Sequence, residues 1–184
     1  LRGPAHLAQE NTLASFACAL ATGFHGFETD VRLAADGELV LFHYRTTPDG
    51  QSVAGLSRNE LSLALGYLVP TLPEALEAFP DAVWNIEIKT PAAAPVIFPL
   101  LELIADQRKI LLTSFRHELI MQAAESLDVD CGLLLAHRPA ALGSLLYPAL
   151  PHPRLRTLVW HYEVLDPQRR LSAPTWPWPR WSSR

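Results

Sequence analysis

The spacing of apolar residues divides the chain into segments of two periods. From Thr12 to Thr22, Leu13, Phe16, Ala17 and Leu20 recur three, four and seven apart, the stripe of an amphipathic helix, with Asn11 as its expected N-cap and Gly23 as its stop. From Gly26 to Leu33 the period falls to two: Phe27, Thr29, Val31 and Leu33 alternate with Glu28, Asp30 and Arg32, which predicts a strand. Ala35-Asp36-Gly37 is a turn signal, Leu39 to His43 reads as a second short strand, and residues 44 to 70 read as loop and short turns. Leu72 to Phe79 predicts a short helix, and Val83 to Lys89 a strand with Trp84, Ile86 and Ile88 opposite Asn85, Glu87 and Lys89. Helix and strand then take turns. Helices are expected over 95–105, 118–127 and 139–146, and strands over 110–115, 131–136 and 157–161. That alternation predicts parallel βαβ units, hence an α/β sheet or a (β/α) barrel.

Length and composition narrow the class. The 184 residues suit about one domain. With 49% hydrophobic and 18% charged residues, the chain can fill a core and is not of disordered composition. A net charge of −4 supplies no basic field for nucleic acid or anionic lipid. Cys18 and Cys131 stand far apart, which excludes a Cys-x-x-Cys site and reads as two buried thiols in a reducing compartment. No run approaches the ~18 apolar residues of a membrane span, and the first residues lack a signal-peptide pattern, so a cytoplasmic location is expected. Pro167 to Arg184 differs from the rest: it carries Pro, Trp and Arg, no acidic residue and no period. The expected organisation is one domain over 1–166 and an irregular tail over 167–184, such as a shifted reading frame would leave.

The candidate chemistry sits on the two alternating strands. Glu28 and Asp30 project from one face of the first, and Glu87 and Lys89 from one face of the second. Alternating charges also describe a solvated sheet face. In a barrel, however, the apolar parity faces the helices and the polar parity points inward near the strand ends. Three carboxylates converging there repel one another unless a cation shares them, and oxygen-only ligands suit Mg²⁺ or Ca²⁺. His43, at the end of its strand, suits a general acid or base. The other six histidines, at 6, 25, 117, 137, 152 and 161, show no distinguishing context and are expected at the surface or in packing.

One ordered series of segments is informative as a set. Arg2-Gly3, Glu10-Asn11-Thr12-Leu13-Ala14-Ser15-Phe16, Gly26-Phe27-Glu28-Thr29-Asp30-Val31-Arg32-Leu33, Asp36-Gly37 and Phe42-His43 resemble the glycerophosphodiester phosphodiesterase family. Arg45-Thr46-Thr47, Pro70-Thr71-Leu72, Asn85-Ile86-Glu87-Ile88-Lys89 and Thr113-Ser114-Phe115 follow in the family's order, so the resemblance covers about residues 1 to 166. It implies a TIM-type (β/α) barrel with its site at the C-terminal ends of the strands. It further implies a divalent cation, Mg²⁺ or Ca²⁺, at Glu28, Asp30 and Glu87, and phosphate contacts from Arg2 and Lys89. His43 would be one of two acid/base histidines, with Arg2 beside the reacting phosphate and Glu10 and Asn11 in support. The implied reaction is metal-dependent hydrolysis of a small glycerophosphodiester to sn-glycerol 3-phosphate and an alcohol, in phospholipid degradation.

Three departures from the family bear on that expectation. The place of the second histidine, immediately before Arg2-Gly3, holds Leu1; the residue after His43 is Tyr44 instead of Asp; and only five barrel strands are foreseen. The barrel is therefore expected to be incomplete at both its N-terminal and C-terminal sides, with exposed edges. The short stretch between His43 and Leu72 favours small substrates. Two other readings remain open: a catalytically impaired fragment that binds metal and phosphate without turnover, and a related phospholipase D-type barrel, which the missing secretion signal and disulfide pattern disfavour.

Overall fold

A computed structural model describes residues 8–136 and 152–160. The first helix, α1 (Leu13–Ala21), leads into β1 (Gly26–Leu33), which turns through Gly37 into the short β2 (Leu39–Leu41). Helices α2 (Arg58–Leu65) and α3 (Leu72–Ala78) precede β3 (Val83–Ile88). Then α4 (Ala94–Ile104), β4 (Lys109–Ser114), α5 (His117–Ser126) and β5 (Asp130–Leu135) alternate, and β6 is Leu155–Trp160. The six strands form one sheet in the order β2-β1-β3-β4-β5-β6. All neighbours are parallel except β2, which pairs antiparallel with β1 at the edge. Parallel strands laid down in chain order, with helices between β1 and β3, β3 and β4, and β4 and β5, are the winding of a (β/α) barrel wall; a doubly wound sheet would reverse its order midway.

The two faces of the sheet divide the side chains by parity. Phe27 and Val31 of β1 and Trp84, Ile86 and Ile88 of β3 lie in one continuous core with Phe16, Leu76 and Ile97 from the covering helices. Trp84 and Phe16 are wholly buried, their rings 5.2 Å apart and edge to face, and Phe27 stacks within 4.8 Å of Phe16. These contacts dock α1 on the sheet. Gly26 allows β1 to lie close to β3, because a Cβ there would meet the carbonyl oxygen of Val83 at 2.6 Å.

The structure departs from the sequence expectation in several places. Helix α1 is capped by Thr12, whose hydroxyl accepts from the Ser15 amide, and not by Asn11. Residues 44–70 contain α2, which was expected to be loop. Its start is a capping box, with Ser57 and Glu60 satisfying each other's amides, and it ends on Gly66 in the left-handed region. Leu61 of α2 is wholly buried and joins Val40, Phe42, Val53 and Val69 in a second, smaller core. The second strand stops at Leu41, so His43 lies just beyond it. Of the two thiols only Cys131 is buried; Cys18 is half-buried. The expected helix over 139–146 and the tail over 167–184 lie outside the described residues. Among the described residues, no helix is long and apolar enough to cross a membrane.

Two measurements follow from this packing. Trp84→Ala is expected to lower the unfolding free energy by about 3–5 kcal/mol in urea titration, through lost apolar burial and the cavity left behind. Leu63→Ala, at a side chain 82% exposed, should change it by no more than about 0.5 kcal/mol. Burial, with Asp130 adding to it, pushes the Cys131 thiol up to about 12. That thiol stays protonated at pH 8, so a disulfide reagent should modify Cys18 alone in the native chain and both cysteines in denaturant.

Candidate active site

The parallel register of β1 and β3 decides what meets on the inner face. Asp30 lies opposite Glu87, and Glu28 opposite Asn85. One carboxylate oxygen from each of Glu28, Asp30 and Glu87 falls within 4.8 Å of the others. Asp30 has no exposed surface and Glu87 is 6% exposed, while Glu28 is half-buried at the margin. The solvated-face alternative is thereby removed for Asp30 and Glu87.

Cations and dipoles surround this charge. Just past the end of β3, the Lys89 ammonium lies 3.1 Å from Asp30 Oδ1 and 2.8 Å from Glu87 Oε1, so it spans two of the three carboxylates. Asn11 donates from Nδ2 to Asp30 Oδ2 at 3.0 Å. Its side-chain oxygen accepts from the Thr29 hydroxyl at 2.9 Å and from the Asp30 amide at 3.3 Å. Asn11 thus clamps Asp30 from side chain and backbone together, and does so with φ at 56°, a conformation that Asn tolerates better than most residues. Lower on the same inner face, Thr113 donates to Asn85 at 2.8 Å.

The remaining expected residues take different positions. Glu10 is half-buried in the turn before α1, outside the carboxylate trio; burial, and after it the charge of Glu10, pushes the Tyr67 phenol up. His43 follows the edge strand, its ring 4.7 Å from that of Tyr44 and nearly perpendicular to it. Phe42, the residue before it, donates its amide to the Asp30 carbonyl at 3.0 Å, so the His43 segment and Asp30 belong to one local pairing. Arg2 lies outside the described residues. His117 is a packing residue, with Nε2 2.9 Å from the Leu134 carbonyl.

Arg32 was not foreseen. It shares the parity of Glu28 and Asp30, is 6% exposed, and donates through Nε at 3.1 Å and Nη2 at 2.7 Å to the backbone carbonyl of His43. Burial pushes its guanidinium down from its ordinary value, and Asp30 opposes that shift. Parity alone marked Arg32 as inward-facing, but its partner comes from a different strand end and had no local signal.

This donor set fits a hard divalent cation. The ligand atoms are all oxygen, and oxygens up to 4.8 Å apart can share an ion whose bonds are about 2.4 Å long. Among the described residues, the three carboxylates outnumber the cations beside them, Lys89 and Arg32, which favours entry of such an ion.

Comparison with known proteins bears on the same residues. The sequence profile described as the glycerophosphoryl diester phosphodiesterase family matches residues 2–166. The "probable glycerophosphodiester phosphodiesterase 2" of Mycobacterium tuberculosis is 30% identical over 151 residues, covering 74% of this chain and 57% of that protein. The chain spans little more than half the length of the curated relatives it matches. The crystal structure of glycerophosphodiester phosphodiesterase from Thermotoga maritima superposes with a TM-score of 0.75 at 26% identity, over 88% of this chain and 72% of that one. An Oleispira antarctica phosphodiesterase, solved in complex with the product sn-glycerol-3-phosphate, gives 0.74 at 26% identity, over 91% and 76%.

The clamp on Asp30 generates a measurable expectation. Asn11→Gly keeps the left-handed backbone but removes the side-chain bonds, and should cost about 1–3 kcal/mol of stability. Asn11→Ala should cost about 1–2 kcal/mol more, because its Cβ disfavours that backbone. Urea midpoints in the opposite order would mean that the conformation at residue 11 contributes nothing.

Proposed function

The chain belongs to the glycerophosphoryl diester phosphodiesterase family, and on that premise we propose that it carries the cation- and phosphate-handling site for hydrolysis of small glycerophosphodiesters to sn-glycerol 3-phosphate and an alcohol. The observation that carries the reading is the trio of Glu28, Asp30 and Glu87 on the facing side of adjacent parallel strands, with Lys89 spanning Asp30 and Glu87. Glu28, Asp30 and Glu87 would hold Mg²⁺ or Ca²⁺. When bound, such an ion polarises a phosphoryl oxygen and offsets the charge that grows on it.

The chain's own groups supply the other requirements. Lys89, and Arg2 by its sequence match, bind the anionic phosphate oxygens and orient the ester. His43 takes a proton from the attacking oxygen or gives one to the leaving oxygen. Asn11 holds Asp30 in the orientation that the cation needs, a supporting role of the kind that sets metal affinity. The substrate is small because the connection between His43 and α3 folds into its own core and is not available as a large cover. A cytoplasmic location and a role in phospholipid degradation complete the proposal.

A second reading is favoured by Leu1: leucine transfers no proton, so the chain would bind cation and phosphate with little turnover. Both readings are tested together. Calorimetric titration with Ca²⁺ should show one site that Glu28→Ala or Glu87→Ala abolishes. A coupled assay on glycerophosphocholine should show metal-dependent release of glycerol 3-phosphate. Leu1→His should raise that release by about 10²–10⁴-fold if a second proton-transfer group is what the site lacks. Release absent from both the original and the Leu1→His chain, with the cation bound, would leave only the binding reading standing.

A further inference from the structure

His43 lies beyond the end of β2, and two backbone contacts are among those that hold this stretch. One is the amide of Phe42 on the Asp30 carbonyl. The other is Arg32, whose Nε and Nη2 both reach the single carbonyl oxygen of His43. A peptide oxygen has two lone pairs and can accept both hydrogens. A planar guanidinium presents them in a fixed fork, and the charge strengthens each bond. With the oxygen held, the peptide plane after His43 is restrained, and the Phe42 amide on the Asp30 carbonyl restrains the chain on the other side, so the backbone rotations that aim the His43 Cα–Cβ bond are narrowed.

Burying a guanidinium costs free energy unless its hydrogens and charge are matched. Asp30 lies two residues away on the same strand face and Glu87 opposite it, so the acidic cluster lowers that cost. The same cluster therefore makes possible a cation that reaches across to the neighbouring strand end. We propose that Arg32 is a positioning residue: its two-pronged grip on the His43 carbonyl sets the place and direction of the His43 imidazole relative to the carboxylate trio. This rests on the role of His43 proposed above. Arg32 touches neither substrate nor reacting atoms in this role; it acts through the backbone of another residue.

The test is made on the full chain carrying ¹³C-labelled histidine, with the His43 ring resonance identified by its loss in His43→Gln. Arg32→Gln removes the fork and the charge, and Arg32→Lys restores the charge without the fork. Both should shift and broaden the His43 ring signal, Arg32→Lys less than Arg32→Gln, while the signals of His117 and His152 stay in place. In turnover, Arg32→Gln should lower kcat by about 10–100-fold with KM changed less than about 3-fold, and Arg32→Lys should recover part of the loss. Ca²⁺ affinity should stay within about 3-fold in Arg32→Lys, which keeps the charge, and should not fall in Arg32→Gln, which takes a cation away from the acidic cluster.

An unmoved His43 signal in both variants overturns the proposal. So does a loss confined to KM, which would make Arg32 a phosphate ligand, or a fall confined to Ca²⁺ affinity in both variants, which would make it a support of the cation site and not of His43. Loss of the fold in both variants assigns Arg32 to stability and overturns it equally. The ring signal is read without turnover. A shifted signal in a chain that hydrolyses nothing supports the positioning role and counts against the hydrolytic reading alone.

Discussion

Three carboxylates held within 4.8 Å of one another set a constraint that much of the surrounding structure answers. At that separation each pair repels by about 3–4 kcal/mol at an effective dielectric of about 20. Asp30 cannot relieve this by turning to water, because it has no exposed surface. The relief comes from Lys89 laid across Asp30 and Glu87, from the amide of Asn11, and from Arg32 two residues along the strand. Each of these groups also ties a separate piece of chain to the same point: the end of β3, the turn before α1 and the end of β2. The electrostatic problem and the assembly of the site are one problem.

The apolar parity of the same strands makes the arrangement rigid. Phe16, Phe27, Phe79 and Trp84 pack as a group of rings 4.8–6.1 Å apart on the helix-facing side. Dense packing resists small displacements, so the register that sets Asp30 opposite Glu87 is held from behind. A slip of one residue would carry Asp30 into the aromatic cluster and Phe27 into the polar interior. Hydrophobic burial and site geometry are therefore two readings of one alternation.

That alternation explains what was legible in the sequence. Strands β1 and β3 declare themselves through period two, and the same count puts Glu28, Asp30, Glu87 and Lys89 on their inner faces. The resemblance to a known family supplied the further step that these faces meet. For Asn11 the pattern alone points to a cap, which forms within a few residues, and only the resemblance puts it in support of the site: its partners, Thr29 and Asp30, lie 18 and 19 residues away. Arg32 escaped notice for the same reason, since its partner, the His43 carbonyl, is a backbone group that carries no side-chain signature. Helix α2 is a different case. Its Ser57 and Glu60 spell out a capping box, but Leu61 and Leu65 give a stripe too short for periodicity to outweigh the polar residues around it.

The short strand β2 has an effect out of proportion to its three residues. Leu39 and Leu41 belong to the main core and Val40, between them, to the smaller one, so a single stretch of backbone is a party wall between two hydrophobic compartments. Among the described residues, no buried side chain belongs to both cores. Substitutions on the two sides of such a wall combine nearly additively, and the compartment built from Val53, Leu61 and Val69 can drift in sequence without disturbing the strand that carries the carboxylates. The molecule thereby separates a part free to vary, next to His43 and the approach to the site, from a part that is not.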